Sequence, residues 1–222
     1  MIPVDQKLAA AEAAAALVED GMVVGLGSGS TAGLAVRAIG RRGPRIVGVA
    51  TSEKTAELAR GLGIALATLA ERPRLDLTID GADEVEVGTL HLVKGLGGAL
   101  LREKIVACAT ARLVIVADES KVVERLTAAE RPIPVEVVPF AWESTAGRLR
   151  GIGAEPTLRE GFVTDGGHFI LDCRWREMGP AAEMARRLDG VVGVVEHGLF
   201  IGMAEQAIIG GPNGVRVLHR EP

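Results

Sequence analysis

The sequence predicts an α/β protein with two parts, a Rossmann-like domain on a mainly parallel sheet and a smaller ferredoxin-like α+β domain. Over residues 1–130, apolar strand candidates alternate with helix candidates, which is the order typical of a parallel sheet covered on both faces. Over residues 131–203 the order becomes strand, helix, strand, strand, helix, strand, the split pattern of a ferredoxin-like unit. We expect residues 204–222 to return to the first domain.

The elements of the first domain follow from apolar spacing and glycine stops. Leu8, Ala11, Ala15 and Val18 recur at helical spacing, so a helix is expected over 5–19, closed by Gly21. The elements expected after it are strand 22–26, helix 32–39, strand 45–51, helix 52–61, strand 75–79, strand 90–93, helix 99–109 and strand 113–117.

A proline-rich stretch over 131–134 marks the change to the second domain. The elements expected there are strand 135–138, helix 142–150, strand 155–158, strand 168–173 after a turn at 165–167, helix 180–188 and strand 191–196. Two last strands are expected over 206–209 and 215–219.

Composition excludes several classes of protein. The chain has 222 residues, of which 48% are hydrophobic and 24% charged, which is typical of a globular protein. Its formal net charge of −4 gives no basic footprint for nucleic acid, and no apolar run reaches the ~18 residues that cross a bilayer. The charged N-terminal stretch does not resemble a signal peptide. Cys108 and Cys173 lie in apolar stretches, so we expect buried thiols in a cytoplasmic protein and no structural zinc site.

Three polar segments follow strand candidates: GSGST at 27–31, DGADE at 80–84 and KGLGG at 94–98. In an open parallel sheet, the loops at the carboxyl ends of the strands lie on one edge, where ligands bind. We therefore expect the three segments to meet at one crevice.

The first segment has the composition of an anion site. Glycines free backbone N–H groups, and the hydroxyls of Ser28, Ser30 and Thr31 add donors at a helix N-terminus, where the dipole favours an anion. The segment lacks the Gly-Lys-Ser/Thr ending of a nucleotide P-loop. A tight strand-to-helix turn with hydroxyl capping is the alternative interpretation.

The other two segments bring carboxylates and a cation to the same edge. Asp80 and Asp83 lie three residues apart across a tight turn, a pairing that suits acid–base chemistry. Lys94 adds a positive charge, and Glu103 lies about one turn into the following helix. A helix N-terminus lowers the pKa of a glutamate, whereas burial and nearby carboxylates raise it, so the pKa of Glu103 is left open. A solvated acidic loop, a Mg²⁺ site and an ordinary surface glutamate are the alternatives here.

Over almost its whole length the chain resembles the A type of ribose-5-phosphate isomerase. The resemblance rests on the segments VVGLGSGSTA, DGADEV, KGLGGALLREKIVA, VADESK, PIPVEVVPFA, FVTDGGHFILD and GVVGVVEHGLF. It implies an aldose–ketose isomerase of the pentose phosphate pathway that interconverts ribose 5-phosphate and ribulose 5-phosphate without a metal or a nucleotide cofactor. It also implies a homo-oligomer, a dimer or a tetramer, with a sugar phosphate as its partner and no nucleic-acid or membrane partner.

The resemblance also implies the site residues. The family's base falls on Glu103, and further catalytic residues fall on Asp80, Asp83 and Lys94. The implied substrate-binding residues are Ser28, Gly29, Ser30, Thr31, Gly81, Ala82, Gly95, Leu96, Gly97 and Lys121. Leu96 stands where the family usually has glycine, which puts a backbone contact to substrate at that point in doubt. Ser28 replaces a frequent threonine and keeps the hydroxyl.

Two other functions stay open from the residues alone. The spacing Gly27-x-Gly29-x-x-Ala32, with Glu53 further along, matches a loose dinucleotide fingerprint and favours a nucleotide-linked oxidoreductase. A non-catalytic sugar-phosphate sensor would use the same crevice. The sequence also leaves open whether GSGST holds a phosphate or sugar hydroxyls.

Overall fold

The computed structural model describes residues 3–127 and 131–221. Within these ranges the helices are α1 (Pro3–Ala15), α2 (Ser30–Arg42), α3 (Glu53–Gly61), α4 (Leu100–Cys108), α5 (Trp142–Gly151) and α6 (Ala181–Asp189). The strands are β1 (Val23–Leu26), β2 (Val47–Ala50), β3 (Ala65–Leu66), β4 (Leu77–Gly81), β5 (Glu84–Glu86), β6 (Leu92–Val93), β7 (Leu113–Asp118), β8 (Val122–Val123), β9 (Ile133–Val137), β10 (Glu155–Leu158), β11 (Phe169–Arg174), β12 (Val194–His197), β13 (Leu199–Phe200), β14 (Gln206–Gly211) and β15 (Gly214–His219).

The largest sheet has seven strands in the order β15-β14-β7-β4-β1-β2-β3. All its pairings are parallel except that of β14 with the edge strand β15. All six residues of β7 are buried, as expected for a parallel strand covered on both faces. The last two strands, β14 and β15, complete this sheet.

Helix α1 packs on β7, β14 and β15, on one side of this sheet. Its alanines Ala10, Ala11 and Ala14 are fully buried in one apolar cluster with Ile208 of β14. Because alanine is small, the helix lies close to the strands beneath it. The first helix of the chain therefore packs on one of its last strands.

A second sheet has four antiparallel strands in the order β10-β11-β9-β12. Numbered within this unit, the order is two-three-one-four, which is that of a ferredoxin-like sheet built from a βαββαβ chain. Helix α6 packs on it through Met184, Ala185 and Leu188. The predicted α/β class, with a large parallel sheet and a smaller antiparallel one, is confirmed. The predicted boundary between residues 130 and 131 adjoins residues 128–130, which lie outside the described residues.

A third, small sheet in the order β13-β6-β5-β8 was not predicted. The segment 90–93 was expected to be a strand of the parallel sheet, but its strand β6 belongs to this small sheet. Strands β5 and β6 form an antiparallel hairpin that begins just after β4 and returns to it, with Glu84 paired to Val93. The residues after β6 therefore reach the carboxyl end of β4 through the β5–β6 hairpin, and not from the end of a neighbouring parallel strand as expected.

Most predicted elements are found, with shifted ends. Helix α1 ends at Ala15 instead of residue 19. The N–H groups of Leu17 and Val18 bond to carbonyls three residues earlier, and not four residues earlier as in an α-helix. Helix α2 extends to Arg42 and stops at Gly43, whose N–H bonds to the carbonyl of Ile39. No helix formed by the described residues has the length and apolar character needed to cross a membrane.

One burial prediction is wrong. Cys173 is buried as expected, but Cys108 is exposed at the end of α4. The buried face of α4 carries Glu103 and Val106, so the face with Cys108 is directed to solvent.

Candidate active site

The three polar segments meet at the carboxyl end of β1 and β4, as the sequence predicts. They enclose a pocket of about 90 Å³ lined by Ser28, Gly29, Ser30, Thr31, Gly81, Ala82, Asp83, Lys94, Gly95, Gly97, Glu103 and Lys121. Every lining residue was among the predicted site residues. The other two predicted residues, Asp80 and Leu96, are not part of the lining. A larger groove of about 640 Å³ between Arg125 and Met178 holds no comparable pair of buried acid and base among its described lining residues.

Asp80 is locked at the end of β4 by the backbone. Its Oδ1 accepts the N–H of Ser28 at 3.0 Å and that of Gly81 at 2.8 Å, and the residue is 2% exposed. This contact needs glycine at position 27, since a Cβ there would lie 2.5 Å from the Cα of Asp80. The glycine of the first loop therefore lets β1 and β4 approach closely enough to fix the carboxylate.

Lys94 is a buried cation held by two carboxylates. Its Nζ lies 2.9 Å from Oδ2 of Asp80 and 3.2 Å from Oε2 of Glu103, and it donates to the carbonyl of Gly81 at 2.6 Å. The ring of Phe200 lies 5.3 Å away, a cation–π contact. Burial alone lowers the pKa of Lys94, but the charges of Asp80 and Glu103 outweigh it and raise the pKa above its ordinary value. The ammonium group therefore stays charged.

Glu103 is a buried carboxylate in the first turn of α4. It is 5% exposed, and its Oε2 accepts no hydrogen bond from the described residues, the ion pair with Lys94 apart. Burial raises the pKa of Glu103, Lys94 lowers it and Asp80 raises it again, with a result of about 8. Burial therefore outweighs the charge of Lys94, and the pKa of Glu103 lies above its ordinary value. A carboxyl group with such a pKa can both take and return a proton near neutral pH.

Asp83 organises the third segment. Its Oδ2 accepts the N–H of Leu96 at 2.9 Å, and its own N–H bonds to the carbonyl of Val93. Leu96, which departs from the family pattern, has its backbone N–H bonded to Asp83 and its carbonyl bonded to Arg159, and its half-buried side chain is absent from the pocket lining. Gly95 and Gly97 provide the backbone that lines the pocket.

Ser28 uses its hydroxyl within the protein. The hydroxyl lies 2.7 Å from that of Thr51, 2.9 Å from that of Ser52 and 3.2 Å from that of Thr55. This cluster, which the sequence analysis missed, joins the ends of β1 and β2. The hydroxyl of Ser28 is therefore already satisfied, whereas Ser30 and Thr31 stand at the N-terminus of α2.

Two lysines stand near that helix terminus. Lys7 on α1 donates to the hydroxyl of Ser30 at 3.2 Å and lies 3.8 Å from Asp118. Lys121 lines the pocket, and partial burial together with Arg131 lowers its pKa. Lys7 was missed because no motif marks it; only the packing of α1 brings it to a residue far along the chain.

The geometry disfavours the two alternatives drawn from single motifs. A Mg²⁺ ion on the acidic segment would compete with Lys94 and with two backbone N–H groups for the oxygens of Asp80. Glu53, the acidic residue of the dinucleotide fingerprint, pairs with Arg102 at 2.8 Å and is absent from the pocket lining.

A second acidic group, Asp189, Glu196 and His197, lies elsewhere. Its cation position is taken by the ammonium group of Lys104, 2.6 Å from Glu196. We therefore assign no metal to it.

An α/β fold that holds a buried carboxylate against an ammonium group, beside a helix N-terminus rich in hydroxyls, defines an enzyme of the acid–base type acting on an anionic substrate.

Comparison with known proteins gives the family. The family model of ribose 5-phosphate isomerase A (phosphoriboisomerase A) matches residues 47–214. A ribose-5-phosphate isomerase A of Synechococcus sp. (strain JA-3-3Ab) is 56% identical over 96% of both chains. The chain belongs to the ribose 5-phosphate isomerase A family.

Solved structures agree over the full length. The ribose 5-phosphate isomerase A of Methanocaldococcus jannaschii matches with a TM-score of 0.93 and 39% identity, over 97% of this chain and 99% of the other. A D-ribose-5-phosphate isomerase in complex with phospho-erythronic acid matches with a TM-score of 0.95 and 36% identity, over 99% and 100% of the two chains.

Proposed function

We propose that the protein interconverts D-ribose 5-phosphate and D-ribulose 5-phosphate through an enediolate, with no metal or nucleotide cofactor. The observation that carries this proposal is the buried pair of Glu103 and Lys94 in the pocket, 3.2 Å apart, in a chain of this family. One group takes a proton from carbon, and the other stabilises the charge that this creates.

Glu103 is the proposed base. Its carboxylate takes the proton from C2 of the open-chain aldose, the C–H electron pair forms the double bond between C1 and C2, and negative charge develops on O1. The O2 proton passes to O1, which moves the negative charge to O2. Return of the carbon proton to C1 then forms the C2 carbonyl of the ketose. Support comes from the pKa of Glu103 of about 8, because a proton shared between base and carbon moves most easily when the pKa of the base lies near the working pH.

The proposed stabilising groups for the enediolate oxygens are Lys94 and the backbone N–H groups of Gly95 and Gly97. All three residues line the pocket, and the ammonium group is fixed before substrate binds by Asp80 and by the carbonyl of Gly81. Preorganised charge of this kind supplies the largest part of catalysis in many enzymes.

The two aspartates have different proposed roles. Asp83 lines the pocket, where its carboxylate holds sugar hydroxyls and assists ring opening and proton movement between O1 and O2. Asp80 lies outside the lining with both oxygens already bound, which supports the role of holding Lys94 in place.

In this proposal the phosphate group of the substrate binds at the N-terminus of α2. Ser30 and Thr31 supply hydroxyls and backbone N–H groups there, and Lys7 and Lys121 supply positive charge. Binding energy from this remote group orients the reacting carbons beside Glu103. On this proposal GSGST holds phosphate rather than sugar hydroxyls.

The test is a reaction of EDTA-treated protein with ribose 5-phosphate in D₂O, followed by proton NMR. We expect ketose signals to appear and the protein to catalyse entry of deuterium at the exchanged carbon. Binding of the sugar phosphate without ketose formation would instead favour the sensor function. Fluorescence titration with NADH tests the oxidoreductase alternative, for which we expect no binding.

We further propose a cytoplasmic homo-oligomer, a dimer or a tetramer, with the domain boundaries predicted from the sequence. Both cysteines are free thiols, which suits a reducing compartment. Phe140 is 88% exposed and Val192 73% exposed, side chains of the kind that subunit interfaces cover. Sedimentation of the purified protein measures the oligomeric state.

A further inference from the structure

The loop between β10 and β11, residues 159–168, reaches from the second unit to the active site; we call it the hairpin loop. It consists of residues 159–161 and the first part of the segment FVTDGGHFILD. None of these residues has a role in the chemistry proposed so far. Yet it contacts the third polar segment, the start of α3 and α4. Its contacts show what it does there.

The hairpin loop is fixed from behind by a buried carboxylate. Oε1 of Glu136, a residue 1% exposed on β9, lies 2.9 Å from the hydroxyl of Thr164 and 2.9 Å from Nδ1 of His168. Between these two residues, Asp165 accepts the N–H of Glu53 at 2.9 Å, at the first residue of α3. The second half of the loop is thus held from both sides, by β9 and by α3.

Arg159 makes the contact with the active-site segment. Its Nη1 donates to the carbonyl of Leu96 at 3.0 Å and to that of Gly95 at 3.4 Å. The rest of its guanidinium group binds Asp172 in a bidentate pair, at 2.9 Å and 2.5 Å. Arg159 lies two residues beyond Thr157, the register partner of Asp172, so the two side chains share one face of the hairpin.

Phe162 completes the support. Its ring lies 5.5 Å from the guanidinium carbon of Arg159 and packs against Gly98. A Cβ at position 98 would lie 2.1 Å from the ring, and Gly98 has a φ of 83°, so glycine is required there on both counts. The guanidinium group is therefore fixed in direction by an acid and a ring.

Holding a carbonyl also aims the N–H on the other side of the same peptide. The peptide is planar and trans, so the N–H of Gly97 points away from the carbonyl of Leu96 that Arg159 binds. Gly97 lines the pocket, and its N–H has no acceptor within residues 3–127 and 131–221. In the same way the carbonyl of Gly95 is bound while the N–H of Leu96 bonds to Asp83.

We propose that Arg159 is a positioning residue for the isomerisation: it holds the carbonyls of Gly95 and Leu96 so that the N–H of Gly97 faces the reacting oxygens. The inference rests on the proposed function. Arg159 itself lies outside the pocket lining, so it acts through the backbone. Its positive charge at the carbonyl also polarises that peptide, which strengthens the N–H as a donor.

The test compares Arg159→Met with Arg159→Lys and Asp172→Asn, and uses Arg148→Met, at an exposed arginine of α5, as the matched control. Loss of one oxyanion donor costs about 10²–10³-fold in kcat, and a misaimed donor costs part of that. We expect Arg159→Met to lower kcat by about 10–100-fold, with KM within about threefold of wild type. The kcat values of Arg159→Lys and Asp172→Asn should lie between those of wild type and Arg159→Met. Lysine keeps the charge but not the planar fork of arginine, and Asp172→Asn keeps the arginine but weakens the pair that orients it.

The affinity for phospho-erythronate distinguishes a positioning role of Arg159 from a role in stability alone, since a loss of stability alone would leave this affinity unchanged. Its planar carboxylate stands in for the enediolate, so its affinity should fall in parallel with kcat/KM, whereas the affinity for inorganic phosphate should not change. Equal kcat in wild type and Arg159→Met overturns the inference, as does a loss confined to KM and melting temperature. If the wild-type protein itself forms no ketose, it is the proposed function that fails.

Discussion

Replacing Glu103 by glutamine removes the proposed base and keeps the size of the side chain. An amide cannot accept the C2 proton, while Lys94 remains beside Asp80 at 2.9 Å, so substrate binding should persist. We expect kcat to fall at least ~10³-fold, or about 4 kcal/mol of barrier at about 1.4 kcal/mol per decade, with KM changed less than about fivefold.

The same change should stabilise the fold at high pH. The pKa of Glu103 is raised from 4.5 to about 8, so the folded protein keeps a proton there that the unfolded chain has lost. The free energy of unfolding therefore falls as pH rises from 4.5 to about 8. At about 1.4 kcal/mol per pKa unit, ionising the buried Glu103 lowers the free energy of unfolding by at most about 5 kcal/mol. The variant avoids this loss, but Lys94 loses part of its ion pairing. A net gain of about 1–3 kcal/mol at pH 9 corresponds to a melting temperature higher by about 2–10 °C.

The assays are ketose formation from ribose 5-phosphate and thermal unfolding at pH 5 and pH 9, with Glu57→Gln on the exposed side of α3 as the control. The gain in melting temperature should shrink at pH 5. A Glu103→Gln protein that retains more than a tenth of wild-type kcat would refute the assignment of the base. A variant less stable than wild type at pH 9 would refute the account of its burial.

Other expectations follow from the same contacts. The rate of isomerisation should rise with pH through an inflection near 8, because the base must be ionised; a profile flat from pH 6 to 9 contradicts this. Lys94→Met should move that inflection to higher pH in the residual activity, since the cation that lowers the pKa of Glu103 is gone, whereas Lys94→Arg should not. Lys7→Met should raise KM for ribose 5-phosphate about tenfold with little change in kcat, and Lys54→Met, on exposed α3, should leave both unchanged. EDTA should leave kcat unaltered, because Lys94 occupies the cation position beside Asp80; a loss restored by Mg²⁺ contradicts that assignment.

The architecture and the meeting of the three loops were predictable because they depend on local signals. Alternating apolar strands and helices specify a parallel sheet, and glycine or acidic segments at the strand ends mark its ligand edge. The small third sheet was not predictable in this way, since strands such as Leu92–Val93 have only two residues and carry no periodicity.

The site itself breaks the local rules, which is why its electrostatics could not be predicted. In α4 the charged Glu103 is 5% exposed while the apolar Ile105 is 48% exposed, the reverse of an ordinary amphipathic helix. Such conflicts between pattern and burial are expected at functional sites. Lys7 reaches Ser30 only because α1 packs on the sheet, a contact between distant segments that carries no sequence signal.

The packing of α1 against β14 has a consequence for how the protein is made. The antiparallel unit, from Ile133 to His197, is continuous in the chain, and most of its apolar cluster comes from this segment, so we expect it to fold soon after it leaves the ribosome. The seven-stranded sheet is completed later, because β14 lies between β7 and β15 and is synthesised near the end of the chain. The contact of α1 with β14 therefore forms only after translation has passed β14, whereas the contacts of α1 with α2 and β7 can form earlier.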